Sequence, residues 1–112
     1  MDPELPKFAV VDYCAPNGAV PFRAWVSALK DKVARAVVLA RVDRLSFGSF
    51  GDWKSIGAGV FELRVHFGKG YRVYFGRKGN VVVVLLCGGD KATQERDIDR
   101  AKKYWKDHEA RS

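Results

Sequence analysis

The stretch ELRVHFGKGYRVYF, residues 62–75, alternates like a β-hairpin and sorts its side chains by charge. One face carries Leu63, Val65, Phe67, Val73 and Phe75; the other carries Glu62, Arg64, His66, Arg72 and Tyr74. Opposed residues of an antiparallel pair share a face, so any turn that keeps Leu63 and Phe75 on the core side puts both arginines together. Two neighbouring guanidiniums repel unless an anion sits between them, and their fork of N–H groups matches phosphate oxygens. The competing reading is internal neutralisation, with Glu62 or another carboxylate as counter-ion.

Three lysines extend this basic set. Lys54 precedes the hairpin, Lys69 sits in its turn between Gly68 and Gly70, and Lys91 closes the last strand in LLCGGDKATQ, where Gly88 and Gly89 leave room for a backbone or a ligand. Trp53, beside Lys54, is the tryptophan placed to stack on a base. His66, Lys91 and Asp90 are the candidates for proton transfer, although a lone strand histidine is more often structural. No serine, cysteine or paired carboxylates form a hydrolytic constellation, and GGDK, GAG and GKG lack the spacing of phosphate or dinucleotide loops. Cys14 and Cys87 are far apart and away from any metal-ligand spacing, so no metal or cofactor is expected.

The elements that must position these groups follow from periodicity. Residues 7–13 form a first strand and CAPNGAVP a loop; Phe22, Trp25, Val26 and Leu29 then fall on one face of a helix that starts at Pro21 and ends near Lys30. Asp31 caps a second helix with Ala34, Val38, Val42 and Leu45 buried, Arg35, Arg41 and Arg44 facing solvent, and Gly48 as its stop. A short strand over residues 52–56 precedes the alternating strands 60–67 and 71–77, and the continuously apolar segment 81–87 predicts a central strand covered on both faces. A final helix has Thr93 as its N-cap, Ile98, Ala101 and Trp105 on its apolar stripe, and acidic residues before basic ones along the dipole. The order predicts one α+β domain over residues 1–112, with an N-terminal helical hairpin packed on an antiparallel sheet and a C-terminal helix.

Twenty basic residues against 13 acidic ones give this 112-residue chain a net charge of +7, which favours polyanions or an acidic protein as partners. The N-terminus lacks the pattern of a secretion signal, and VVVVLLC is too short to cross a bilayer, so a reducing cytoplasmic setting without membrane contact is expected.

Taken together, PFRAWVSALKD, LARVDRLSFGSFGDWKSIGAGVFELRV, GYRVYF, LLCGGDKATQ and DIDRAKKYW resemble, in that order and spacing, the RelE/ParE toxin superfamily. The resemblance is to its HigB-like, phage-derived addiction module killer branch and runs from about Pro21 to the end. It implies a RelE-like, microbial-RNase-like fold and the toxin half of a type II toxin-antitoxin pair that cleaves mRNA on the ribosome. It also implies a helix-turn-helix antitoxin, through which alone operator DNA is contacted. Carried over, it makes Arg64, Arg72 and Lys91 the catalytic cations; for the acid and base the sequence leaves Lys91, His66, Asp90 and a ribosomal RNA group open, and Trp53, Lys54 and Lys69 stand as RNA contacts by their own place in the chain. Two positions depart from the family: Glu62 stands where a basic residue is common, and Asp97 where some members have a catalytic tyrosine. A gyrase-inhibiting, ParE-like toxin and a binding protein with a degraded site are the alternatives.

Overall fold

A computed structural model describes residues 6–111. The elements are β1 (Ala9–Asp12), α1 (Pro21–Ala28), α2 (Lys32–Leu45), β2 (Trp53–Gly57), β3 (Val60–Val65), β4 (Tyr71–Lys78), β5 (Val82–Asp90), a 3-10 turn (Lys91–Thr93) and α3 (Gln94–Arg111). The strands form one sheet in the order β1-β5-β4-β3-β2. Strands β2 to β5 are antiparallel as expected, whereas β1 joins the edge of β5 in parallel, with Ala9 opposite Val82. That direction is set by the path of α1 and α2 across the sheet and is not encoded in the residues of β1 itself.

Helices α1 and α2 cover one face, where Phe22, Val26, Ala34, Val38 and Leu45 meet Leu63, Val73, Phe75, Val83 and Leu85. Helix α3 covers part of the other, where Ala101 and Trp105 meet Tyr13, Val60, Tyr74, Val84, Leu86 and Cys87. The apolar run of β5 thus serves two cores, as its composition predicts. An irregularity in the β4–β5 register beside Tyr74 and Phe75 turns Leu86 and Cys87 toward the same core.

The caps explain the helix starts. The Asp31 carboxylate accepts from the amides of Val33 (2.9 Å) and Ala34 (3.1 Å), and Gly48 turns the chain after α2 with φ +77°. Two of the three outward arginines are tied to backbone and not simply solvated: Arg35 donates to the Leu29 carbonyl and Arg41 to that of Phe50. The start of α3 also differs from expectation. The capping residue is Asp90, which accepts from Ala92 (2.9 Å) and Thr93 (3.2 Å), because a 3-10 turn precedes the α-helix and draws the cap three residues upstream of Thr93. Among the described residues no helix is long and apolar enough to cross a membrane.

The two thiols are sharply unequal. Burial, then the nearby Asp97 charge, pushes the Cys87 thiol up to about 12, while Cys14 lies exposed in the loop after β1. An aromatic disulfide reagent should therefore modify one thiol rapidly in the native protein and the second only on unfolding. Two fast thiols would mean that β5 does not pack closely against α3.

Candidate functional site

The β3–β4 register sets Arg64 directly opposite Arg72, on the sheet face that α3 shares. This face is not uniformly open. Glu62 and Tyr74, one alternation further from the turn, are fully buried, so α3 and its first residues close the far end. Only the turn end is left open, and there the two arginines stand.

The turn runs through Gly68 (φ +54°) and Gly70 (φ +79°), backbone conformations that suit glycine. The Gly70 carbonyl accepts from the amide of Lys91 at 3.0 Å, which fastens the end of β5 beside the hairpin turn. Arg64, His66, Phe67, Lys69, Arg72 and Lys91, with the two glycines, line one open hollow of about 500 Å³. Cations from two hairpin strands, the turn and the end of β5 therefore do converge.

Each arginine also has a carboxylate partner. Arg64 donates to Asp52 at 2.9 Å and Arg72 to Glu62 at 3.3 Å, but the settings differ. The Arg64–Asp52 pair is about one third exposed on both sides, where an ion pair adds little net stability and exchanges readily for another anion. Glu62 is fully buried and also accepts from Gln94 at 2.9 Å, and the Arg72 side chain is only 13% exposed. Arg72 is thus an anchored donor and Arg64 an exchangeable one. Lys69 lies 3.8 Å from Asp90, and Lys91 has no ion-pair partner among the described residues.

The sequence pattern of the family described as phage derived protein Gp49-like (DUF891) matches residues 24–106, three quarters of the chain and every residue that lines the hollow. This chain belongs to the Gp49-like family. It is also 54% identical over 81 residues to an uncharacterized protein of Haemophilus influenzae, an alignment covering 72% of this chain and 82% of the relative.

In this Gp49-like chain the site holds five of the eight residues singled out from sequence: Arg64, His66, Lys69, Arg72 and Lys91. Asp90 lies at its edge, its carboxylate occupied by the amides that start the 3-10 turn. Lys54 pairs with Glu62 in register and is exposed, one strand away and outside the lining. Trp53 does not face the hollow. It sits opposite Leu63, on the α1/α2 side, with its ring 5.3 Å from Phe50 and 5.4 Å from Phe61, because strand alternation sends neighbours 53 and 54 to opposite faces.

The glycines of LLCGGDK make room for the protein itself. A Cβ at Gly88 would lie 2.5 Å from Trp25 Cδ2, and one at Gly89 would collide with the carboxylate of Asp97. Asp97 is 1% exposed and accepts from the Thr93 hydroxyl at 2.5 Å, with Arg96 at 3.5 Å and Arg100 at 4.0 Å. It is a buried structural acid, out of reach of a guest in the hollow.

Sequence reasoning missed Asp52. Its backbone carbonyl accepts from the Arg64 amide at 2.8 Å, and its side chain bonds both Arg64 and His66. The His66 hydrogen bond, then that from Arg64, holds the Asp52 carboxyl below its ordinary value. The missing signal was the β2–β3 register, which brings Asp52 beside a residue twelve positions away. Among the described residues no three His, Cys, Asp or Glu side chains gather as a metal site would require.

Chemically, the hollow offers an anchored guanidinium, an exchangeable one, two ammonium groups and an imidazole around a space the size of a phosphodiester and its flanking sugars. Such a set can hold an oxyanion and move a proton.

Proposed function

We propose that this chain is the toxin of a type II toxin-antitoxin pair and a RelE/HigB-like endoribonuclease that cuts mRNA on the ribosome. The observation that carries the reading is the cross-strand pair Arg64 and Arg72 joined by Lys91 around one open hollow. Membership of a phage-derived family and a net charge of +7 support it. We read residues 1–112 as a single toxin domain acting in the cytoplasm.

In the reaction the ribose O2′ bonds to the adjacent phosphorus and the P–O5′ bond breaks, leaving a 2′,3′-cyclic phosphate and a 5′-OH. The 2′-OH proton passes to a base, and the departing 5′ oxygen takes one from an acid. Arg72, held from behind by Glu62, presents its guanidinium without rearrangement to the charge that grows on the phosphorane oxygens. Arg64 exchanges Asp52 for the incoming phosphate, and Lys91 supplies an ammonium from the far side. A helix-turn-helix antitoxin neutralises the protein and carries it to operator DNA.

Primer extension on mRNA during translation tests this: the wild-type chain creates new 5′ ends, and Lys91→Ala weakens them about tenfold, the loss of one charge-assisted contact. Growth arrest without new 5′ ends would reject the nuclease. One observation favours the gyrase-directed alternative: both arginines already have carboxylate partners in the free chain. Trapped gyrase cleavage complexes would establish it.

A further inference from the structure

One carboxylate in the hollow serves two side chains at once. Asp52 Oδ1 accepts from Arg64 at 2.9 Å, and Oδ2 is in close contact with Nε2 of His66. Its backbone is fixed independently of those contacts by the hydrogen bond to the Arg64 amide and by the buried Phe50 two residues earlier, whose carbonyl is held by Arg41. His66 is 73% exposed, so packing alone does not orient its ring. A carboxylate only accepts hydrogen bonds, so the ring nitrogen facing it carries the proton. Nδ1 then remains without a protein partner among the described residues.

We propose that Asp52 is a positioning residue: it holds His66 in the Nε2–H tautomer with Nδ1 as the proton-accepting nitrogen of the hollow. Its catalytic consequence rests on the nuclease reading; the tautomer itself does not. In the cleavage step Nδ1 takes the 2′-OH proton as O2′ bonds to phosphorus. Asp52 offsets the positive charge that results on the imidazole, in a surrounding otherwise made of Arg64, Lys69, Arg72 and Lys91.

The test reads tautomer and rate separately. Long-range proton–nitrogen correlation spectra of histidine-labelled protein at alkaline pH should show His66 as the Nε2–H form, with Asp52→Asn giving a mixture, Asp52→Glu restoring the wild-type pattern, and the His108 signals unchanged as a control of the fold. A wild-type ring protonated on Nδ1, or one indifferent to Asp52→Asn, overturns the proposal whether or not the protein is a nuclease. In the cleavage assay we expect His66→Ala to lower the rate at saturating RNA about 100-fold and Asp52→Asn about tenfold, with the double variant no slower than His66→Ala alone. Losses that multiply in the double variant would mean that Asp52 acts independently of His66, and would likewise overturn it.

Discussion

Arg72→Ala should lose mRNA cleavage by about 100- to 1000-fold, the scale for removing one preorganised donor to a developing oxyanion. It should also lose stability, which separates it from the other cations of the hollow. Glu62 is fully buried, and its hydrogen-bonding partners are Arg72 and Gln94. Removing the guanidinium strands a carboxylate in the interior at a cost of about 3 kcal/mol, or on the order of 15 °C in melting temperature for a chain of this size. Adding Glu62→Gln should recover most of that stability, since the amide carries no charge, while cleavage stays lost. Thermal unfolding and primer extension on the single and double variants would show it. A double variant as unstable as Arg72→Ala alone would remove the buried pair as the cause, and full cleavage by a folded Arg72→Ala protein would remove Arg72 from the chemistry.

Gly88→Ala should be strongly destabilising although it adds a single methyl group outside the hollow. The indole of Trp25 fills the space a side chain at Gly88 would need, and the added Cβ would fall 2.5 Å from Cδ2 and closer still to other ring atoms. Trp25 belongs to α1, which packs on β5 and carries the buried Phe22 and Val26, so the ring retreats only if the helix lifts from the sheet. Overpacking of this kind costs about 2–4 kcal/mol, visible as a lowered urea midpoint. Trp25→Leu in the same chain should relieve the clash, so that the double variant loses less than the sum of the two single changes. Strictly additive losses would show that the ring and the glycine do not meet.

The hairpin at the centre of the site was legible because strand alternation is local. Leu63, Val65, Val73 and Phe75 declare the buried side, and Arg64 and Arg72 must then share the other. The same holds for Asp31 as a cap and for β5 as a strand serving two cores. Glu62 was visible as a possible counter-ion because it lies on the arginines' own face. The face on which Trp53 lies was not legible, since nearness to Lys54 in the chain says nothing of the face once both are in a strand. The cap of α3 was misplaced by three residues, because a 3-10 turn and an α-helix share the same capping chemistry and the amino acids do not announce which comes first.

By itself, then, the sequence determined which residues are apolar at strand and helix spacing, and so the two-sided sheet and the gathering of basic groups at one hairpin. Tertiary structure alone decided which acid meets which base. Whether Arg72 is anchored and Arg64 exchangeable depends on α3 closing over Glu62 and on β2 aligning Asp52 with Arg64. A charge's neighbours are fixed by register and by the depth of water around it, and both arise only when distant segments pack.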